Sequence, residues 1–128
     1  MEIKIYTDHN IDGHEGLIAD VTEVVEDTLS HFSGHITHVE VHLSDVNGDK
    51  KSGHDDMRCM MEARLEGRHA IAVTHQATTI DQAVDGAADK LANLIEGALE
   101  RQHDLELRRT DPAVYEANFQ SRHEARYS

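Results

Sequence analysis

The chain has 128 residues, a length that fits one small domain followed by a tail. Hydrophobic residues make up 38%, enough for one aliphatic core, while 25 acidic against 12 basic residues give a formal net charge of −13. This charge argues against general binding to nucleic acids or acidic membranes, because each phosphate contact needs a local cation.

The cellular compartment follows from cysteine content and hydropathy. The single cysteine, Cys59, excludes an internal disulfide and suits a reducing cytosol. No apolar run approaches the roughly 18 residues of a membrane span. The N-terminus begins with a strand pattern rather than a signal sequence. We therefore expect a cytoplasmic protein.

The first two elements are a strand and a helix. Residues 1–7 alternate in polarity, which predicts a short strand. Apolar residues at helical spacing then predict a helix over residues 15–32, ended by a Ser-Gly pair. Its start lacks a strong side-chain cap, so this role falls to Asp12, Gly13 or His14.

A long hairpin follows between Ile36 and Glu66. Both of its strands alternate with period two, and the polar loop 46–56 between them contains two glycines. One face is predicted to be buried, namely Val39, Val41, Leu43, Cys59, Met61, Ala63 and Leu65.

Charge suggests how the two hairpin strands pair. Placing Glu40 opposite Arg64 sets His42 opposite Glu62 and His38 opposite Glu66. A shift of two residues would place Glu40 opposite Glu62, and like charges directly opposite each other are unfavourable. We therefore expect the first of these registers.

A third alternating run and a second helix complete the pattern. Over residues 69–75 the bulkier set, Ile71, Val73 and His75, is expected to face inward. A capping box over 79–82 then opens a helix that reaches about residue 102. Its two glycines weaken it by roughly 1 kcal/mol each relative to Ala, so packing must hold it.

The order β-α-β-β-β-α predicts an α+β fold, a four-stranded mixed sheet with two helices on one face. The first two strands should be parallel. Residues 105–128 form a polar tail, in which Asp111-Pro112 could open a short helix over 112–120; a mobile tail is the equal alternative. The other sheet face is left to solvent: Lys4, Tyr6, His38, Glu40, His42, Arg58, Met60, Glu62 and Arg64.

No pattern of catalytic or metal-binding residues stands out. His38 and His42 share a strand face, but four residues of strand separate them by about 13 Å. The loop that starts at Asp45 resembles a calcium loop, yet Lys50 stands where its sixth residue should be Gly. Cys59 faces inward and should be an inert thiol. We expect no enzyme activity, no cofactor and no metal, with the histidines as solvated surface residues.

Four stretches of sequence, in a particular order, carry a family likeness. They are residues 9–11 before the first helix, HFSGHITHVEV at 31–41, MEAR at 61–64, and residues 79–91 with DKL at 89–91. Together they resemble the ribosome hibernation-promoting factor and protein Y family over about residues 1–102. The resemblance implies that residues 1–104 are a ribosome-associated domain. Such domains bind the small subunit in its mRNA and tRNA channel and silence translation when growth stops.

The chain departs from this family in its charges. Family members typically continue the second helix with repeated Lys and Arg that meet ribosomal RNA, whereas residues 79–104 here hold six acids and two bases. The first helix has five acids and no Lys or Arg. If rRNA is bound, the remaining cations are the candidates: Lys50, Lys51, Arg58, Arg64, Arg68, Lys90 and Arg101.

Two functional hypotheses lead, ahead of a weaker third, a His-rich metal-binding module. The first is a ribosome-associated stress factor that regulates translation by steric block, without catalysis, through rRNA contacts on the small subunit. The second is an acidic relative that keeps the fold but binds a protein partner or self-associates as a homodimer. We favour the first, because the resemblance spans most of a domain. Neither hypothesis involves a membrane or a small-molecule substrate.

Overall fold

The computed structural model describes residues 1–9, 11–46, 56–67 and 69–110, apart from the side chains of residues 104 and 106–110. Its order confirms the predicted β-α-β-β-β-α pattern and the α+β class. The elements are β1 (Glu2–Thr7), α1 (Glu15–Thr28), β2 (Ile36–Asp45), β3 (Met57–Leu65), β4 (Ala70–Ala77) and α2 (Ile80–Thr110).

The four strands form one mixed sheet in the order β1-β2-β3-β4. β1 and β2 are parallel, because α1 crosses between them, whereas β3 and β4 are added antiparallel by hairpins. The predicted parallel pair and the mixed sheet are therefore confirmed.

The predicted register of the long hairpin is wrong by two residues. Glu40 lies opposite Glu62, His38 opposite Arg64 and His42 opposite Met60. On the inner face this register sets Val41 against Met61 and Leu43 against Cys59, and all four are buried. Two partly exposed carboxylates repel each other weakly, so packing of buried side chains outweighs their charges.

Glu40 has two further neighbours, both of which offset part of its repulsion from Glu62. Lys4 on β1 is the register partner of Glu40 on its other side. The Nε2 atom of His42 also lies 3.3 Å from Glu40 Oε1. The charge-based prediction compared only the two hairpin strands, so it left out Lys4 on β1, and it placed His42 opposite Glu62 rather than beside Glu40.

The first helix starts at a histidine cap and ends earlier than predicted. His14 Nδ1 accepts a hydrogen bond from the backbone N–H of Leu17 at 3.0 Å, which selects one of the three candidate caps. The α-helix ends at Thr28, and a 3₁₀ helix (Ser30–His35) continues to the start of β2. The predicted end at residue 32 therefore merges an α-helix with a tighter turn.

Thr79 caps the second helix, as the capping-box pattern predicts. Its Oγ1 accepts a hydrogen bond from the backbone N–H of Gln82 at 3.1 Å. The helix continues to Thr110, beyond the apolar pattern that stops near residue 102. Residues 112–120, where a short helix was considered, lie outside the described residues.

The chain divides into two compact units, Met1–Ile95 and Glu96–Ser128. In the first unit, α1 and α2 cover the inner face of the sheet, as predicted. The second unit contributes the end of α2 to the described residues. No helix in these ranges is long and apolar enough to cross a membrane. The core of the first unit includes Val21, Val25, Val39, Val41, Met61, Ala63, Val84, Ala87, Leu91 and Ile95.

Candidate interaction surface

The second face of the sheet carries the polar side chains of all four strands, and no element of the described part of the chain covers it. We call it the open sheet face. None of its residues is buried. Strand pairing arranges its side chains in four rows, Glu2-His38-Arg64-Ala70, Lys4-Glu40-Glu62-Ala72, Tyr6-His42-Met60-Thr74 and Ser44-Arg58-Gln76.

An aromatic pair lies near one edge of this face. Tyr6 and His42 are register partners on the parallel strands β1 and β2. Their rings are stacked, with centroids 4.7 Å apart and planes inclined by 19°. His42 Nε2 donates a hydrogen bond to Glu40 Oε1 at 3.3 Å, which orients the imidazole. The Tyr6 side chain is nevertheless 45% exposed.

Two of the predicted cations, Arg58 and Arg64, project from β3 on the open sheet face. Both are exposed, and six residues of strand separate them by about 20 Å. Arg64 also lines a depression of about 580 Å³ together with Thr37, Glu66 and His69. The two guanidinium groups therefore lie at opposite ends of the face.

The structure distributes the other predicted cations differently. Lys90 on α2 donates a hydrogen bond from Nζ to the backbone oxygen of Thr74 at 3.1 Å, so its ammonium group lies at edge strand β4. Arg101 is exposed on the part of α2 that belongs to the second unit. Lys50, Lys51 and Arg68 lie outside the described residues.

The described charges of the first unit are segregated between its two sides. Its described Lys and Arg residues are Lys4, Arg58, Arg64 and Lys90, and the first three lie on the open sheet face. Lys4 was not among the predicted RNA-binding cations. The helix side is acidic, with five acids and no Lys or Arg on α1.

A cleft between the two helices concentrates this negative charge. It has a volume of about 290 Å³, and the buried Val21 and Val84 form part of its lining. Four carboxylates surround it, those of Asp20, Glu23, Asp81 and Asp85. The cleft can therefore accommodate a cationic group but repels phosphate.

The chemistry of the remaining candidate groups is limited. Cys59 is fully buried, and this burial raises the pKa of its thiol to about 12, as expected for an inert cysteine. Within the described ranges, no three His, Cys, Asp or Glu side chains are grouped so that they could hold a metal ion. Most of the calcium-like loop lies outside those ranges.

Sequence reasoning placed Tyr6 and His42 on the solvent face but did not bring them together. The period-two pattern assigns each residue to a face, whereas the register of a parallel pair is set by a crossover and is not visible in the alternation. An aromatic residue and a histidine on the outward positions of two predicted neighbouring strands were the available signal.

The fold and this surface define a two-layer α+β module that covers one sheet face with helices and presents cations and an aromatic pair on the other. The chain belongs to the family described as sigma 54 modulation protein / S30EA ribosomal protein, whose model matches residues 5–103. This match and the solved structures confirm the resemblance to the hibernation-promoting factor and protein Y family.

Two solved structures share the fold. The protein Y N-terminal domain of Thermus thermophilus is 18% identical with a TM-score of 0.54, over 74% of this chain and 96% of that one. A ribosomal subunit interface protein from Coxiella burnetii is 14% identical with a TM-score of 0.58, over 78% of this chain and 99% of that one. Among curated proteins, no relative matches the chain.

Proposed function

We propose that this chain is a cytoplasmic, ribosome-associated factor that binds the small subunit and silences translation under stress by steric block, without catalysis. The observation that carries the proposal is the family match over residues 5–103. The two solved structures that share the fold, a protein Y domain and a ribosomal subunit interface protein, agree with it.

The charge distribution supports one orientation on rRNA. An acidic helix side would be repelled by phosphates, since α1 offers no cation and the cleft between the helices is lined by four carboxylates. The open sheet face presents Lys4, Arg58 and Arg64. We therefore assign rRNA contacts to this face, with Lys50, Lys51, Arg68, Lys90 and Arg101 as further proposed contacts.

Ribosome sedimentation tests the proposal. The purified chain is mixed with ribosomes from stationary-phase cells, and its distribution among small subunits, large subunits and whole ribosomes is followed through a density gradient. We expect it to migrate with the small subunit and with whole ribosomes at low salt and to be released as salt rises, because phosphate contacts release counterions. Absence from both fractions at low salt would refute the proposal.

The acidic cleft favours a second candidate function, binding of a basic protein segment or of a second copy of the chain. Valine side chains beneath four carboxylates would suit a lysine or arginine side chain, whose stem is apolar and whose end is cationic. Glu23→Lys and Glu26→Lys discriminate between the candidates. Tighter ribosome binding by these variants supports the first, whereas loss of a protein partner or of a dimer supports the second.

A further inference from the structure

We propose that Tyr6 and His42 form a stacking platform for one unpaired base of single-stranded RNA, with Lys4 beside the backbone phosphate of that nucleotide. The inference rests on the proposed function and specifies the kind of RNA element that the open sheet face takes. It follows from the geometry of the aromatic pair and from the charges around it.

The stacked pair leaves one face of the tyrosine ring available. One side of the Tyr6 ring is covered by His42. Its other side is directed away from β2. Because β1 is an edge strand of the described sheet, no strand in the described part of the chain lies beyond it. With 45% of Tyr6 exposed, a planar base can extend the stack by one ring. Base stacking on exposed aromatic side chains of a sheet is a general mode of single-strand recognition.

The charges beside the pair suit a nucleotide. Lys4 precedes Tyr6 by two residues on the same strand face, about 7 Å away along β1. Glu40 is engaged by His42 and lies opposite Lys4, so its charge is partly compensated. Asp8, two residues after Tyr6, accepts a hydrogen bond from the backbone N–H of Asp45 at 3.3 Å. The ammonium group of Lys4 can therefore approach a phosphate while the base contacts Tyr6.

The size of the apolar surface argues against a protein occupant here. In the row of Tyr6, the apolar surface consists of the tyrosine ring and the half-buried Met60, flanked by charged rows on either side. Stable protein interfaces generally need a larger apolar centre with few charges. A single base, in contrast, needs one ring face and a nearby cation. Duplex RNA is also disfavoured, because its bases are already stacked.

The test uses a short single-stranded RNA that carries 2-aminopurine at its centre, because the fluorescence of this base falls when it stacks on an aromatic ring. The whole chain is titrated into the RNA at low salt. We expect quenching with the unmodified chain and with Tyr6→Phe, which keeps the ring. Tyr6→Ala and Tyr6→Leu should weaken binding about tenfold or more and remove the quenching.

Tyr6→Leu keeps the bulk of the side chain, so it remains informative if Tyr6→Ala fails to fold. Ile18→Ala on α1 is the matched control, because it also removes an exposed large apolar side chain, and it should leave binding unchanged. The inference is overturned if the unmodified chain does not quench the probe, or if Tyr6→Leu quenches it as strongly. A duplex of the same sequence that binds equally well would also overturn it.

Sedimentation separates this inference from the proposed function. If the unmodified chain migrates with ribosomes but neither assay depends on the ring of Tyr6, only the stacking platform is refuted. If the chain quenches the probe in a ring-dependent way but never migrates with ribosomes, the stacking platform stands and the proposed function is refuted.

Discussion

His75 on β4 lies directly against Gly86 on α2, and its imidazole ring occupies the space that a Cβ atom at position 86 would need. Glycine inside a helix destabilises it by roughly 1 kcal/mol relative to alanine. Here its lack of a side chain permits the helix to approach the sheet beside a ring. The close contact between α2 and β4 therefore depends on both residues.

Gly86→Ala should destabilise the chain although it improves helix propensity. The new methyl group overlaps the His75 ring, and such overpacking costs about 1–3 kcal/mol, more than the propensity gain. We expect a net loss of about 1–2 kcal/mol in the free energy of unfolding, measured by urea denaturation.

Gly97→Ala is the matched control, because a Cβ there meets only Arg101 Nη1, at 3.4 Å. This variant should be neutral or more stable by up to about 1 kcal/mol. Adding His75→Ala to Gly86→Ala should restore much of the lost stability. Equal effects of the two glycine substitutions would contradict the packing argument.

The inward direction of His75 shows what alternation in a sequence can predict. Strand pattern and side-chain bulk together place Ile71, Val73 and His75 inside, and their register partners Ala63, Met61 and Cys59 are buried. Faces are predictable because period two assigns every residue of a strand at once. The need for glycine at position 86 cannot be predicted from the strand pattern, because it arises from a contact between α2 and β4.

The opposed carboxylates of Glu40 and Glu62 lead to a second prediction. Glu62→Gln removes a like charge directly across from Glu40, so the chain should gain about 0.2–1 kcal/mol in unfolding free energy at low salt. The gain should shrink at high salt through screening. Denaturation midpoints at two salt concentrations measure both effects.

Glu66→Gln provides the comparison for this substitution. It makes the same change in net charge at an exposed position of the turn after β3. Its effect on stability should be smaller than that of Glu62→Gln. If Glu62→Gln lowers the free energy of unfolding instead, the Glu62 carboxylate has a favourable partner whose attraction exceeds its repulsion from Glu40.

The buried thiol leads to a prediction about alkaline stability. In the folded chain, burial raises the pKa of Cys59 from 9.0 to about 12, so the folded state keeps this proton after the unfolded state has lost it. Stability is unaffected by this group below pH 9 and falls as pH rises from about 9 to about 12. The decline attributable to the thiol is about 1.4 kcal/mol per pH unit.

Cys59→Ala isolates the contribution of the thiol to alkaline stability, since the variant and the unmodified chain share all other groups that titrate at high pH. The variant should be less stable at pH 7 because of the cavity, but its unfolding free energy should fall less steeply above pH 9. Parallel curves for the two proteins would contradict a buried, protonated thiol. A thiol reagent should likewise react slowly with the folded chain and rapidly in denaturant.

The candidate surface was only partly predictable from the sequence. Arg58 and Arg64 were identified because they are among the few cations of an acidic chain, and the strand pattern placed both on the solvent face. The contact between Tyr6 and His42 and the hydrogen bond from Lys90 to Thr74 depend on register and on helix placement. The register prediction failed because two registers that differ by two residues bury the same strand face, and surface charge was used to choose between them. A strand pattern specifies faces, while packing across the whole sheet specifies neighbours.

The open sheet face is proposed to contact rRNA. The most direct test compares how two variants of the same net charge sediment with ribosomes. Arg58→Ala with Arg64→Ala removes two cations from this face, while Ile18→Glu with Ala19→Glu adds two negative charges on exposed positions of α1, which carries none of the proposed contacts. We expect the arginine variant to bind ribosomes more weakly and with a salt dependence reduced by about two phosphate contacts, while the α1 variant binds like the unmodified chain. Weaker binding by the α1 variant, with the arginine variant unaffected, would refute rRNA contact through the open sheet face.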